Sequence, residues 1–319
     1  MTSLSSSAVI AAVTTTSPRI KSRPLVKRAN CYEVKERISA KGETVEPLDE
    51  YSVRELAQKI RSEADIEAVA ICTLFSYIDP GHEERIRELF REELPGIPVS
   101  ISYDVLPKWK EYDRASTTIA DAYLKPAVSR NFQVIKERMD DLGIGERIGV
   151  IKSNGGEASV KGAAETPAQM VLSGPTGAVV ATRALSKLTG IENLVTFDMG
   201  GTSTDCSTVV DAMEHMTTDF EVEWGLPIQV PMIDVHTIGA GGGSIAWVDK
   251  GGMLRMGPRS AGAEPGPACY GRGGKEATVT DANVVLGPDQ PRSTSSAGRW
   301  HWTPTPPIAP CRRSAKSSD

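Results

Sequence analysis

A chain of 319 residues that is 39% hydrophobic, 24% charged and 5% aromatic is long enough for one large domain or two ordinary ones. That composition excludes collagen-like, disulfide-dense and wholly disordered classes, and no run approaches the ~20 apolar residues of a membrane-spanning helix. The net charge of −5 is uneven: residues 1–32 carry +5, residues 288–319 carry +3 and the body from Glu33 to Gly287 carries −13, which argues against nucleic acid as the main partner.

Met1 to Pro18 is rich in Ser, Thr and Ala, poor in acids and followed by scattered Arg and Lys. By composition it is similar to an organelle transit peptide, or it is simply a disordered start; residues 1–32 are set apart from the fold on either reading. Ser52-Val-Arg-Glu55 reads as a capping box that opens a helix reaching Glu63. Ala68 to Phe75 is a continuous apolar run, as in a strand buried on both faces. Asp79-Pro80 starts a helix to Leu94, with Asp79 as the N-cap and Glu83 and Glu84 at its positive end. Ile97 to Ser102 is a second strand, so residues 66–102 form a strand–helix–strand unit with a parallel pair.

A long helix from Arg114 to Leu142 is expected to be interrupted near Pro126 and ended by Gly143. Arg147 to Lys152 is a strand leading into the turn Ser153-Asn-Gly-Gly156. Thr166-Pro167-Ala-Gln169 reads as a second capping box, and Ser173 to Gly177 interrupts and restarts a helix closed by Gly190. Alternating strands and helices give an α/β class with parallel or mixed sheets flanked by helices. From Pro288 to Asp319 no helical or strand period is visible, and the stretch reads as a disordered tail. The five cysteines are widely spaced with no C-x-x-C pair, which fits a reducing, cytoplasmic setting.

Three segments carry candidate chemistry. The first is Asp198-Met-Gly200-Gly201-Thr202-Ser203-Thr204-Asp205, between apolar runs. It reads as a β-hairpin whose tip is made of hydroxyls and bare backbone amides, a shape suited to phosphate. Asp198 and Asp205 flank the tip, where carboxylates beside phosphate hold Mg²⁺ or position an attacking water or hydroxyl. The competing reading is an ordinary hairpin with Asp as turn former; two glycines, three hydroxyls and two acids in eight residues favour phosphate.

The second segment is His236-Thr-Ile-Gly239-Ala-Gly241-Gly242-Gly243-Ser244. Its glycines allow backbone to approach a ligand, so the two glycine-rich turns are candidates for the two ends of one nucleotide; a flexible loop explains this one equally well. His236, oriented or joined by Asp234, is a candidate metal ligand, although a lone His beside an apolar strand is more often simply packed. The third segment, Gly257 to Gly274, is either a linker or an ordered loop against a ligand, with Arg259 and Arg272 as available cations. Cys269 within it has no base placed to activate it.

Phe197–Asp205, Pro231–Ala246 and Gly257–Gly271 together, with Val279-Thr-Asp-Ala-Asn283 and Ser153-Asn-Gly-Gly156, resemble the hydantoinase A/5-oxoprolinase family, closer to the N-methylhydantoinase-type branch. The likeness covers residues 25–287. It implies an actin-like ATPase (ribonuclease H-like) fold, here incomplete, with residues 33–150 as the remainder of a first lobe and residues 151–287 as a second. It implies ATP with Mg²⁺ or Mn²⁺ as cofactors, and ATP-dependent opening of a cyclic amide of the hydantoin or 5-oxoproline type through a phosphorylated substrate. A hydantoinase B-type subunit or domain is the implied partner. Related carboxylases of acetone and acetophenone use the same module on a ketone, and a non-catalytic binding partner is the third reading. The family's own first Asp-x-Gly-Gly-Thr hairpin has no counterpart upstream, so the chain reads as an internal piece with half a nucleotide clamp and weak activity alone.

Overall fold

The computed structural model describes residues 25–62, 66–144, 148–223 and 225–286. The stretch up to Pro24 and the tail from Gly287 lie outside the described residues, as do Glu63 and Arg147 at the ends of two expected elements. The chain forms two compact units: residues up to Gly177 with Met216–Ile233, and Ala178–His215 with the chain from Asp234 onward.

In the first unit, Leu25–Tyr32 is ordered rather than structureless, with a 3₁₀ turn at Arg28–Asn30 and Tyr32 packed on the core under the Lys59 ammonium. Strands β1 (Arg37–Ile38) and β2 (Thr44–Glu46) form a short hairpin. Helix α1 (Glu50–Ser62) starts two residues before the expected box. Asp49 is the residue that caps it, its carboxylate accepting from the Ser52 amide, while Ser52 donates its hydroxyl to the Asp49 carbonyl. Val53, Ala57 and Ile60 form one helical face and bury it.

Strand β3 (Val69–Ile71), helix α2 (Gly81–Glu93) and strand β4 (Val99–Ile101) reproduce the expected unit, with β3 and β4 parallel. The apolar run yields only three strand residues, because the chain turns over residues 74–78 with Phe75 at positive φ. Ile86, Leu89 and Phe90 of α2 close the core against α1, β3 and β4. At the start of α2 the Asp79 carboxylate accepts from the Gly81 amide and Pro80 takes the N-cap position.

Glu83 is fully buried, not a solvated acid at a helix end. Its carboxylate accepts from the Thr73 amide (2.8 Å), the Ser102 hydroxyl (2.7 Å) and the Tyr103 amide (3.0 Å), tying together the segments that follow β3 and β4. Burial nevertheless pushes this carboxyl above its ordinary range, the donors opposing that shift. An acid whose folded value exceeds its unfolded one favours the folded chain at low pH, and that advantage is lost as pH rises from 4.5 through the raised value. Glu83→Gln keeps one acceptor oxygen and turns an amide NH₂ toward a backbone donor. We expect urea unfolding across a pH series to show the variant less stable than the parent, with the gap narrowing as pH rises; a constant gap overturns this.

Short helix α3 (Ser102–Val105) precedes helix α4 (Glu111–Asp141). Here the expected break is absent: Pro126 sits inside a continuous 31-residue helix. Proline's fixed φ is itself helical, so one rung is lost while the winding continues. The N-terminal half is anchored by buried Asp121, which accepts from the Ser100 hydroxyl and the Ala168 amide. Gly143 ends the helix at positive φ, as expected.

Strands β5 (Gly149–Ile151) and β6 (Glu157–Ser159) form a hairpin around the Asn154-Gly155 turn, and Ser159 caps short helix α5 (Val160–Glu165). Thr166 makes no capping bond; Pro167 opens a 3₁₀ turn instead. Helix α6 (Ser173–Thr189) begins directly at Ser173 and is closed by Gly190.

The second unit is built on an antiparallel sheet of β7 (Leu194–Met199), β8 (Thr204–Val210), β9 (Met213–Glu214) and β12 (His236–Ile238), ordered β12-β8-β7 with β9 also on β8. Between them, β10 (Met216–Thr217) and β11 (Met232–Ile233) belong to the first unit. They do so because Ile228, Val230 and Met232 pack on Val105, Ala120 and Ala168. The units therefore interleave in sequence where a single boundary at residue 150 was expected. A hairpin of β13 (Ser244–Val248) and β14 (Leu254–Ser260), then helix α7 (Val279–Leu286), complete the fold. Among the described residues no helix is long and apolar enough to cross a membrane.

Candidate functional site

The hairpin expected around Asp198–Asp205 is present. Its two strands pair from Leu194↔Val209 to Met199↔Thr204, leaving Gly200–Ser203 as the bend. The Gly200 amide closes the bend on the Ser203 carbonyl at 2.9 Å. Gly200, Gly201 and Thr202 are exposed. Among the described residues the amides of Gly201, Thr202 and Ser203 and the hydroxyls of Thr202 and Ser203 have no protein partner. A cluster of successive free N–H groups in an exposed bend is an anion cradle.

Register fixes what faces the bend. Asp198 pairs across the sheet with Asp205, and Asp205 with Thr237 of β12. Directly paired residues project to the same face, so the three stand in a row. The Thr237 hydroxyl donates to Asp205 Oδ1 at 2.6 Å, whereas the exposed Asp198 carboxylate has no partner among the described residues. Two like charges directly opposite repel, which a cation between them would relieve.

His236 does not join them. It pairs with Cys206, which pairs with Phe197, one step along from the acid row and therefore on the other face of the sheet. Asp234 does not orient it either; the Asp234 carboxylate lies 3.8 Å from His215 Nδ1. Among the described residues no three His, Cys, Asp or Glu side chains assemble as a metal cluster. The set of Asp198, Asp205 and His236 expected as metal ligands is therefore not brought together: His236 lies on the face opposite the two acids.

The second glycine-rich turn lies against the first. Gly242 N–H donates to the Gly200 carbonyl (2.9 Å) and Gly243 N–H to the Gly201 carbonyl (2.6 Å). Thr204 donates its hydroxyl to the Ala240 carbonyl, and Thr280 holds the Gly242 carbonyl at 2.9 Å. A Cβ on Gly241 would lie 2.6 Å from the Ser203 nitrogen and 2.7 Å from Thr202 backbone. Gly241 lacks a side chain because backbone packs on backbone there, whereas a Cβ on Gly242 would meet the Thr280 hydroxyl at 2.8 Å and one on Gly243 the Ser260 hydroxyl at 2.9 Å and the Gly201 carbonyl at 3.0 Å, so the two turns lie against each other as one wall. Gly239 is different: nothing lies within 4 Å of its Cβ position.

The segment Gly257–Gly274 is ordered: its first residues, to Ser260, belong to β14 and the remainder is a loop. Buried Asp281 accepts from the Cys269 amide (2.7 Å), the Thr278 amide (2.9 Å), the Thr278 hydroxyl (2.8 Å) and the Ala268 amide (3.3 Å). Arg259 is paired with Glu276 and Arg272 lies over the Tyr270 ring, so both proposed cations have other contacts. Sequence reasoning missed Thr237 and Asp281; both sit inside quoted motifs, but nothing in their spacing marks one as a carboxylate holder and the other as a loop anchor.

The family model described as "Hydantoinase/oxoprolinase" matches residues 114–299, and that for the "Hydantoinase/oxoprolinase N-terminal region" matches residues 7–94. Caprolactamase subunit alpha of Pseudomonas jessenii is 41% identical, covering 79% of this chain and 36% of the relative. Acetophenone carboxylase gamma subunit of Aromatoleum aromaticum is 37% identical, covering 84% and 37%. The crystal structure of the ATP-dependent caprolactamase from Pseudomonas jessenii aligns with a TM-score of 0.74 at 37% identity, covering 94% of this chain and 43% of that one. The chain thus spans 36% to 43% of the length of these relatives. With both family regions matched in order and the motifs of the bend in place, the chain belongs to the hydantoinase/oxoprolinase family.

Proposed function

We propose that this chain supplies the phosphate-binding bend of an ATP-dependent enzyme that opens a cyclic amide, within an actin-like ATPase arrangement. One observation carries the reading: Gly201 has no steric reason to be glycine in this fold. Its φ is not positive and nothing lies within 4 Å of a Cβ placed there, yet it sits among three free amides beside two facing carboxylates. A missing side chain at such a point makes room for something that approaches from outside.

The residues divide the work as follows. The amides of Gly201, Thr202 and Ser203 bind phosphate oxygens, with the Thr202 and Ser203 hydroxyls adding donors, while Gly200 and Thr204 set the bend. Asp198 and Asp205 would hold Mg²⁺ (or Mn²⁺), which would offset phosphate charge, with the Thr237 hydroxyl fixing Asp205 and Asp198 left without a protein partner among the described residues. Gly239, open to solvent, suits the nucleoside side. ATP supplies the activation: its terminal phosphoryl group goes to the carbonyl oxygen of the lactam, which makes a stable ring open to water. The named activity of the caprolactamase relative supports a lactam substrate, and a hydantoinase B-type subunit is the proposed partner, in keeping with relatives named as subunits. A ketone carboxylase subunit is the second reading, favoured by the acetophenone carboxylase match over 84% of the chain.

Titration of ¹⁵N-labelled protein with Mg-ATP should shift the amide resonances of Gly201, Thr202 and Ser203. Gly201→Ala should weaken that response roughly tenfold with an unchanged unfolding midpoint, the loss of about one charge-assisted bond. With the partner subunit present, Asp205→Asn should abolish lactam-dependent phosphate release. Resonances that stay fixed at millimolar Mg-ATP overturn the reading; turnover on a ketone with bicarbonate but not on a lactam selects the second.

A further inference from the structure

The first unit contains a cavity of about 710 Å³ with a largely apolar wall. Packed protein interiors leave few voids larger than a water molecule, so a space of this size within one unit is room for an occupant. Every residue from Ile66 to Leu74 lines it, while no residue of β4 does. Side chains alternate between the two faces of a strand, so an unbroken run of lining residues places the cavity at the edge of β3 rather than under one face. Helices α1 and α4 supply its sides, with Leu56, Ile60, Ile119 and Ala122.

That edge is open. Among the described residues β3 pairs with β4 alone. The Val69 amide donates to the Pro98 carbonyl at 3.0 Å, toward β4. In a parallel ladder a residue's N–H and C=O point to the same side and successive residues alternate, so Ala70 turns both groups away from β4, to the side where it lines the cavity. Neither group has a partner among the described residues. A strand edge with free backbone groups and an apolar groove beside it suits one further strand.

The chain itself holds a segment that fits. Leu25, the first described residue, lines the cavity, and residues 1–24 precede it. They contain one unbroken apolar run, Ala8-Val-Ile-Ala-Ala-Val13, uncharged and followed by Thr14-Thr-Thr16, a composition that favours strand. The link from Thr14 to Pro24 can span roughly 35 Å, far more than the width of a cavity that Leu25 already borders. The family model for the N-terminal region begins at residue 7, so this run is matched together with the first unit rather than ahead of it. The tail from Gly287 follows the other unit and holds no apolar run of that length.

We infer that Ala8–Val13 adds to the free edge of β3 as a strand, with the side chains of Val9, Ile10 and Val13 occupying the apolar space and the Ala70 N–H and C=O gaining their partners. The run is then part of the first unit and not a segment set apart from it. This surface is separate from the phosphate bend and does not depend on the activity proposed for it.

Two measurements on the full chain test this. Amide hydrogen exchange at Ala70 should be at least about tenfold slower in the parent than in Ile10→Asp, which puts a charge into the apolar groove, while Ser3→Asp, outside the run, should exchange like the parent. A benzophenone photo-cross-linker in place of Ile10 should attach within the same chain, to residues 66–74 or to the α4 side of the cavity. The cross-link introduces no charge, so it decides the matter even if the aspartate variant unfolds. Equal Ala70 exchange in the parent and a folded Ile10→Asp variant, a cross-link to a second copy, or attachment only outside the cavity would overturn the proposal.

Discussion

A Gly241→Val chain should lose the phosphate bend as an ordered feature, with a fall in stability of about 3–5 kcal/mol and no residual response to Mg-ATP. The atoms that a Cβ would meet, at 2.6 and 2.7 Å, are backbone atoms of Thr202 and Ser203, not the ends of flexible side chains. The second turn must therefore lift off the first. Lifting breaks the bonds from Gly242 to Gly200 and from Gly243 to Gly201, and strains the Thr204 contact to Ala240. Overpacking costs about 1–3 kcal/mol and each lost bond about 1 kcal/mol. Gly239→Ala is the control for stability alone, since the added methyl meets open space. Urea unfolding and the amide titration decide the matter: a valine variant with parental stability would show that the turns are free to part.

Asp281→Ala should be comparably severe, lowering stability by about 3–5 kcal/mol, because four buried neutral donors lose their acceptor and each unsatisfied one costs about 1–3 kcal/mol before relaxation. The carboxylate is 3% exposed and satisfies four donors at once, from Ala268, Cys269 and Thr278. Alanine leaves those donors facing apolar surroundings. For a chain of this size about 2–4 °C is lost per kcal/mol, so a thermal melt should fall by roughly 10 °C. The glycine-rich loop before Ala268 should then become the first site of limited proteolysis. Asp281→Asn keeps one acceptor oxygen and should fall between alanine and the parent. A melt within about 2 °C of the parent for the alanine variant would show that the loop is held by something else.

What the sequence showed, it showed through period and punctuation. The apolar spacing of Val53, Ala57 and Ile60 marked α1, the Asp79-Pro80 pair marked the start of α2, and the two glycines between paired apolar runs marked the hairpin at Gly200. The parallel pairing of β3 with β4 followed from the helix between them. Other features were hidden for physical reasons. His236 adjoins Thr237, which does stand in the row of acids, but strand register sends His236 to the opposite face, and register is a property of three strands together. Pro126 signalled a break that a helix with an anchored first half does not make. Glu83 looked like one more surface acid at a helix end, and only the return of the chain after β4 brings the Ser102 and Tyr103 donors that hold it inside. Gly241, Gly242 and Gly243 signalled openness; they record crowding instead.

That contrast between the two glycine turns has a genetic consequence. Alleles altered at Gly201 should accumulate as abundant, well-behaved and inactive protein, because nothing in the folded chain resents a larger residue there. Alleles altered at Gly241 should instead vanish from the cell, since the weakened product is cleared by proteases before its chemistry can be assayed. A screen that scores only lost activity would pool the two, whereas an immunoblot run beside it would sort them.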